Sequence, residues 1–222
     1  MISAETVAGR LAEARLRVEA AGRDPGLVTI VAVTKGFGPE AVEAAADAGL
    51  TDVGENYAQE LLDKAGRPPG RGLRWHFLGP VQRNKVRRLA GSVAVWEAID
   101  RAAAAQAVAA AAPGAEVFVE VNVDGVPGRP GCLPESVDAL VGEVRRLPLR
   151  ARGLMTVAPP GGGDEARRCF RWLACAARRL GLEELSMGMS DDFEAAVAEG
   201  ATTVRLGRFL FGPRPERARA RR

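Results

Sequence analysis

Thr29-Ile30-Val31-Ala32-Val33-Thr34 is a short uncharged run, rich in β-branched residues, and it predicts a strand that is buried on both faces. Before this run, residues 3–21 carry apolar side chains at helical spacing, which predicts an amphipathic helix. After it, strand-like and helix-like segments alternate almost to the end of the chain. The run therefore opens a repeating pattern of one strand followed by one helix.

This alternation predicts eight strands with seven helices between them. The predicted strands are Thr29–Thr34, Asp52–Gly54, Trp75–Leu78, Ala94–Ala98, Glu116–Val121, Ala151–Thr156, Leu185–Met187 and Thr203–Leu206. The predicted helices between them cover 39–48, 56–64, 82–90, 101–112, 134–146, 164–180 and 191–199. Regular alternation with short connections implies parallel pairing through right-handed crossovers, and eight such units close into a barrel. The predicted fold class is α/β, a single (β/α)8 TIM-type barrel with an extra N-terminal helix.

An open, doubly wound sheet is the alternative arrangement. It is disfavoured because no Gly-x-Gly-x-x-Gly follows the first strand, and no Gly-x-x-x-x-Gly-Lys-Ser/Thr phosphate loop is present. The glycine- and proline-rich stretches 66–72 and 159–163 lie between units and are predicted to be loops rather than linkers. One domain is therefore predicted over residues 1–222, with residues 213–222 as a frayed basic tail.

The composition is that of a folded domain and argues against several classes of protein. Hydrophobic residues make up 47% of the 222 residues, which is enough for a large core. With 31 basic and 28 acidic residues the formal net charge is only +3, so a general nucleic-acid binder is not indicated. Three cysteines without Cys-x-x-Cys spacing, and a single histidine, predict neither a disulfide framework nor a metal site.

The start of the chain and its apolar runs bear on location. Met1 leads directly into the amphipathic pattern, and no uncharged apolar run approaches the ~20 residues of a membrane span. Together with the cysteine usage, this predicts a cytoplasmic protein without a membrane partner. No long exposed apolar stripe demands a dimer, so a monomer is expected.

The ends of the predicted strands are the place to look for a site, because barrels carry their active sites there. The first strand ends in Lys35, which shares a face with Val31 and Val33. A lysine at the mouth of an apolar barrel is partly desolvated, which lowers its pKa and frees its amine for attack on a carbonyl. A surface lysine that simply closes the strand explains this position equally well.

Asn56 and Ser190 each follow a strand and precede a helix. Asn56 is expected to cap the helix after the second strand and to turn its amide toward a ligand. Ser190 stands at the N-cap position after the seventh strand, where the unpaired N–H groups of the first helical turn bind anions. Simple capping is the alternative, since Asp191 and Asp192 already complement the helix dipole.

Arg205 is unusual because it lies inside the predicted eighth strand. A buried arginine needs a partner, and either a bound ligand or a salt bridge to Glu55 or Glu120 would supply one. Gly207, just beyond, allows the backbone to approach an anion closely. His76 lies within the third strand among large apolar residues, where a hydrogen-bonded core histidine is the favoured interpretation.

Five blocks of the sequence together resemble one known family. They are Ala32–Lys35, Gly54–Tyr57, Trp75–Lys85, Ser186–Asp192 and Val204–Gly207. In order and spacing they resemble the pyridoxal phosphate homeostasis protein family, which is related to the N-terminal barrel of alanine racemase. The resemblance spans residues 29–212 and implies the same barrel fold.

The resemblance also implies a cofactor site for pyridoxal 5′-phosphate. Lys35 would carry the cofactor as a Schiff base, and Arg205 would face the pyridine nitrogen. The phosphate cradle maps onto Ser190 and onto the backbone around Gly207 and Arg208. Asn56 maps onto a family asparagine in the pocket. No residue is assigned a catalytic role.

Two positions depart from the family pattern. Arg208 stands where the family usually has a small hydroxyl residue, so one hydroxyl contact to phosphate is replaced by a charged group. Arg129 stands where the family tends to have a lysine, and an arginine cannot form a second Schiff base.

The function implied by the resemblance is intracellular storage and delivery of the cofactor without strong catalysis, with cofactor-requiring apo-enzymes as transient partners. The alternative is a pyridoxal-phosphate-dependent amino-acid racemase, which needs acid–base groups on both faces of the substrate. Lys35 supplies one, but Tyr57 is the only tyrosine and nothing in the sequence places it opposite Lys35. An aldolase without cofactor is a third hypothesis, with Glu55 as the relay beside the lysine.

Overall fold

The computed structural model describes residues 2–67, 72–159 and 161–215, and within these ranges eight parallel strands form a closed barrel in sequential order. The strands are β1 Thr29–Val33, β2 Asp52–Glu55, β3 Arg74–Phe77, β4 Val95–Ile99, β5 Glu116–Glu120, β6 Arg150–Met155, β7 Glu184–Met189 and β8 Thr203–Leu206. The last strand pairs with the first, with Ala32 opposite Leu206. The predicted fold class, a (β/α)8 barrel with an N-terminal helix, is confirmed.

Nine α-helices surround the barrel in the same described ranges. They are α1 Ala4–Ala20, α2 Pro39–Asp47, α3 Ala58–Ala65, α4 Arg83–Leu89, α5 Ala102–Ala111, α6 Val137–Arg146, α7 Gly163–Arg179, α8 Phe193–Ala198 and α9 Arg208–Phe211. The Ser3 side chain caps α1 by accepting a hydrogen bond from the N–H of Thr6. The short helix α9, directly after β8, is an element that the sequence pattern did not predict.

Two apolar clusters stabilise the molecule. The larger one fills the space between the barrel and its helices, with Trp96, Phe170 and Phe193 among its fully buried side chains. The smaller one consists of Val95, Ala98, Phe118 and Met155. Burial of apolar surface on this scale is the main favourable contribution to folding.

The inside of the barrel is only partly apolar. TIM-type barrels usually fill their interior with layers of branched apolar side chains. Here His76, Glu97, Ser186 and Arg205 are all buried and bonded to one another in a continuous series. Buried polar side chains therefore form a connected series inside the barrel.

Some predicted features fall outside the described residues. Residues 68–71 of the first predicted loop and residue 160 of the second belong to this group, as do residues 216–222 of the basic tail. Among the described residues, no helix combines the length and the hydrophobicity needed to cross a membrane. The single-domain organisation stays a prediction.

Candidate functional site

A cavity of about 480 Å³ opens at the carboxyl ends of the strands, within the usual size range of small-molecule sites. Its wall consists of residues within β1, β6, β7 and β8 and of residues in the segments that follow β1, β2, β3, β5, β6, β7 and β8. All six residues singled out from the sequence line this cavity, namely Lys35, Asn56, Ser190, Arg205, Gly207 and Arg208. The structure therefore brings the whole predicted set together at one place.

Lys35 lies just beyond β1, partly buried in the cavity wall. Its amine makes no salt bridge with any described residue. Burial, followed by the positive charges of Arg214 and Arg205, lowers the pKa of Lys35 from 10.5 to about 8, although Glu55 opposes this shift. A substantial share of the Lys35 amine is therefore neutral near physiological pH and available as a nucleophile.

Helix α3 holds the backbone on both sides of Lys35. The Lys64 ammonium donates a hydrogen bond to the Thr34 carbonyl oxygen at 2.8 Å. The N–H of Gly36 donates to Glu60 Oε2 at 2.9 Å, and Gly36 makes the turn with a φ of +76°. Because both neighbouring peptide groups are fixed, the direction in which Lys35 leaves the strand is fixed as well.

Glu55 is committed to this supporting structure. Its Oε1 lies 2.5 Å from the Lys64 Nζ and accepts a hydrogen bond from the Thr34 hydroxyl at 2.7 Å. Burial raises the pKa of Glu55, while the charge of Lys64 and its hydrogen bond act in the opposite direction. The carboxylate is thus paired with Lys64 and not placed as a relay for Lys35, which removes the support for the aldolase hypothesis.

Asn56 is in the cavity but does not cap α3. The N-cap position belongs to Tyr57, and no side chain caps this helix. Asn56 Oδ1 is buried and has no hydrogen-bond partner among the described residues. A buried amide oxygen without a donor costs free energy, which a ligand that supplies a donor would recover.

Ser190 joins the exits of the last two strands. Its hydroxyl oxygen accepts a hydrogen bond from the N–H of Phe209 at 3.0 Å. The predicted N-cap role is wrong, because α8 begins at Phe193 and Asp192 occupies the N-cap position. Asp192 Oδ1 instead accepts a hydrogen bond from the N–H of Met189 at 2.6 Å. Gly188, with a φ of +91°, lies in β7 two residues before Ser190.

Gly207 and Arg208 form the N-terminus of α9. Gly207 is the N-cap, and a Cβ atom there would lie 3.2 Å from the Val33 carbonyl oxygen, so a glycine permits close packing of this turn on β1. Arg208 is exposed and forms an ion pair with Asp191, which also lines the cavity. A helix N-terminus with a flanking arginine favours an anionic group.

Arg205 is 5% exposed and reaches the cavity from β8. Its guanidinium donates to Ser186 Oγ at 2.7 Å and to the Thr156 carbonyl oxygen at 2.8 Å. The nearest carboxylate partner is Glu97, with Nη1 and Oε2 separated by 3.9 Å. The alternative of a salt bridge from Arg205 to Glu55 or Glu120 is therefore not found among the described residues.

Glu120 behaves as a carboxyl group without a close cation. It is buried, and this burial raises its pKa to about 7, although the more distant charge of Arg205 opposes the shift. Glu97, by contrast, is fully buried within β4 and directly tied to its neighbours. The sequence contains one signal for Glu97, because it is a single charge in an apolar strand. Glu97 was not predicted as a site residue because it lies within the strand and not at its end.

Two further residues named from the sequence, Arg129 and Tyr57, differ in their relation to the cavity. Arg129 lines the cavity and pairs with Asp124 at 3.2 Å. Tyr57 is 52% exposed and does not line the cavity. Within the described ranges no group of three or more His, Cys, Asp or Glu side chains is arranged to hold a metal ion.

Fold and site together define a (β/α)8-barrel protein with a cationic, small-molecule-sized cavity built around one lysine. The family model described as alanine racemase, N-terminal domain, matches residues 13–215. A pyridoxal phosphate homeostasis protein of Pseudomonas aeruginosa is 44% identical, with 95% of each chain covered. The relative of that name in Escherichia coli is 37% identical, with 94% of this chain and 97% of the relative covered.

A solved structure gives the same assignment. PipY of Synechococcus elongatus, determined with pyridoxal phosphate bound, superimposes with a TM-score of 0.81 at 32% identity. The match covers 93% of this chain and 100% of PipY. This chain belongs to the pyridoxal phosphate homeostasis protein family, as the five sequence blocks predicted.

Proposed function

We propose that this protein binds pyridoxal 5′-phosphate in the barrel-mouth cavity, with Lys35 as the residue that forms the Schiff base, and that it stores and delivers the cofactor inside the cell. The observation that carries this proposal is Lys35 itself. It is a partly buried lysine without a salt bridge, with a pKa lowered to about 8, in the same cavity as the anion-favouring turn at Ser190 and Gly207.

The residues present fit the cofactor group by group. Pyridoxal phosphate supplies an aldehyde that condenses with a primary amine, and a ring that accepts electron density. The Lys35 amine matches the aldehyde, and the orphaned oxygen of Asn56 matches a donor on the ligand. Gly207 and Ser190, with the charge of Arg208, match the phosphate.

Arg205 argues against decarboxylation and transamination, the reactions that depend most on the pyridine ring as an electron sink. A charged guanidinium directed at the pyridine nitrogen keeps that nitrogen unprotonated, and this weakens the ring as an electron sink. Tyr57, the only tyrosine of the sequence, is exposed outside the cavity and offers no second acid–base group opposite Lys35. The racemase alternative therefore has no residue to support it here.

Three finer points belong to the same proposal. Cofactor-requiring apo-enzymes are the recipients, since a carrier without its own chemistry needs an acceptor. The cytoplasm is the compartment, which agrees with the cysteine usage. The protein is a monomer in solution, a prediction that sedimentation or light scattering checks directly.

Reductive trapping tests the covalent site. The chain has only three lysines, Lys35, Lys64 and Lys85, so an adduct has few places to form. After incubation with pyridoxal phosphate and reduction with borohydride, mass spectrometry of the digested protein should find the adduct on Lys35. Lys35→Ala should abolish both the adduct and the yellow colour, whereas Lys85→Ala, which alters an exposed lysine, should change neither.

Two outcomes would contradict the proposal. A wild-type protein that stays colourless with added cofactor would remove pyridoxal phosphate as the ligand. Conversion of L-alanine to D-alanine by the loaded protein at an ordinary enzyme rate of ~1–10³ s⁻¹ would replace the carrier by a racemase.

A further inference from the structure

A continuous series of buried polar contacts crosses the inside of the barrel. At the amino end, Asp52 Oδ1 lies 2.9 Å from His76 Nε2. His76 Nδ1 lies 2.5 Å from Glu97 Oε1. The Ser186 hydroxyl donates to Glu97 Oε2 at 2.6 Å and accepts from Arg205 at 2.7 Å. The series therefore ends at the guanidinium that lines the cofactor cavity.

The charges along this series alternate in sign. His76 has a carboxylate at each ring nitrogen, so that although burial opposes its charged form, the hydrogen bonds with Asp52 and Glu97 raise the pKa of His76. Burial likewise opposes ionisation of Glu97, but His76, and then the charge of Arg205, hold the pKa of Glu97 below its ordinary value. Asp52 and Glu97 thus alternate with His76 and Arg205 along the series, and of these four only Asp52, at the outer end, is partly exposed.

A series of buried charged groups contributes less to folding stability than apolar side chains in the same space often would. Apolar side chains of similar volume often stabilise a protein as well as buried ion pairs, or better. Ser186 and Glu97 both approach the same nitrogen of Arg205, since Nη1 lies 2.7 Å from Ser186 Oγ and 3.9 Å from Glu97 Oε2. The other guanidinium nitrogen is fixed by the Thr156 carbonyl oxygen. Both restraints fix the orientation in which Arg205 faces the cavity.

We infer that Glu97, through Ser186 and with His76 behind it, is a positioning residue that keeps the Arg205 guanidinium correctly aimed at the ring of the bound cofactor. This inference rests on the proposed function. It adds that His76, Glu97 and Ser186, three residues that do not line the cavity, determine how tightly the cofactor is held and what spectrum it has.

The main test compares two identical changes of charge. Glu97→Gln removes the charge behind Arg205. Glu116→Gln is the matched control, because Glu116 pairs with Arg74 and Arg152 at the amino end of the barrel, away from the cavity. Glu97→Gln should shift the absorption maximum of the bound cofactor and speed its release about tenfold, whereas Glu116→Gln should change release less than twofold.

A double-mutant cycle shows whether the effect passes through Arg205. In an Arg205→Gln background, Glu97→Gln should produce no further spectral shift and no further increase in release. If Glu97→Gln does not fold, as judged by circular dichroism, Ser186→Ala decides instead, because it removes one hydroxyl from the same connection. It should shift the spectrum in the same direction, and an unchanged spectrum would contradict the inference.

The single histidine gives a second readout. Because His76 is the only histidine, its imidazole resonances are unambiguous in nuclear magnetic resonance spectra. Addition of pyridoxal phosphate should shift them in the wild type and leave them unchanged in Arg205→Gln.

The possible failures are distinguishable. A wild type that binds no cofactor contradicts the proposed function and the inference together. A yellow wild type whose Glu97→Gln variant has the same spectrum and release rate contradicts only the inference, as does an effect of Glu97→Gln that persists without Arg205.

Discussion

Two lysines that lie next to strand β1, Lys64 of helix α3 and Lys35, are held in opposite ways. On the side of helix α3, Lys64 is buried with its ammonium 2.5 Å from Glu55 and 2.8 Å from the Thr34 carbonyl oxygen. On the cavity side, Lys35 has no salt bridge with any described residue and a pKa lowered to about 8. Both lysines lie next to the same turn of backbone.

This difference teaches that burial alone does not make a lysine reactive. Lys64 is the more deeply buried of the two, yet its charge is fully compensated by a carboxylate and a carbonyl. Burial, followed by the positive charges of Arg214 and Arg205, lowers the pKa of Lys35 to about 8, and no described carboxylate forms a salt bridge with it. Lys64 has a carboxylate partner and is structural. Lys35 has no such partner among the described residues and can act as a nucleophile.

The largest effect is expected from breaking the ion pair between Lys64 and Glu55. Lys64→Met leaves Glu55 buried and uncompensated, so the free energy of unfolding of the cofactor-free protein should fall by about 3–5 kcal/mol. Urea unfolding at pH 7 measures this loss. The double variant Lys64→Met, Glu55→Gln should recover part of it, because no uncompensated charge remains. A loss below about 1 kcal/mol for the single variant would show that the pair is not structural.

An opposite and smaller effect is expected on the cavity side. Because the pKa of Lys35 is lowered from 10.5 to about 8, the unfolded chain binds this proton more tightly than the folded protein does. The resulting destabilisation is complete below pH 8 and disappears as the pH rises toward 10.5. Lys35→Met should therefore raise the free energy of unfolding at pH 7 by about 1–3 kcal/mol.

The same variant supplies its own pH control. The difference in stability between Lys35→Met and wild type should shrink steadily between pH 8 and pH 10. Lys85→Met, which changes an exposed lysine, should alter stability little at either pH. A gain for Lys35→Met that does not depend on pH would mean that improved packing, and not the removed charge, is the cause.

The smallest effect is expected at Glu60, which contacts both Gly36, next to Lys35, and Lys64. Glu60 Oε2 accepts from the N–H of Gly36 at 2.9 Å and lies 3.5 Å from the Lys64 Nζ. Glu60→Ala should cost about 0.5–1.5 kcal/mol in unfolding experiments, the usual contribution of one hydrogen bond. It should also lower the yield of borohydride trapping on Lys35, because the turn is held from one side only. Glu60→Gln, which keeps an acceptor oxygen, should behave almost like the wild type.

The fold could be predicted because its signal is local and repeated. Most strands contain a short apolar run, and the predicted bounds of all eight, from Thr29–Val33 to Thr203–Leu206, agree with the structure to within two residues. The grouping of Lys35, Asn56 and Arg205 followed from the barrel, since the carboxyl ends of parallel strands meet at one face. Their roles in binding stay predictions.

What could not be predicted is the identity of partners across the barrel. Glu97 pairs toward Arg205 although the two are far apart in sequence, and the register and curvature of the closed sheet decide such a contact. The wrong caps at Asn56 and Ser190 have a similar cause. Both residues precede a helix, but the turn takes one or two more residues before the helix begins at Ala58 and at Phe193. Local preference for a cap was overridden by the path of the chain.

The pairing of β8 with β1 has a consequence for the order of events in biosynthesis. Lys35 lies early in the chain, while Gly207 and Arg208 come near its end, and the two groups meet only where the last strand closes the sheet. In a nascent chain that still lacks β8, Lys35 therefore has neither the opposite wall of the cavity nor the burial and the charge of Arg205 that lower its pKa. A ligand that contacts both groups can therefore bind only after β8 has paired with β1, and its binding free energy would stabilise the closed barrel.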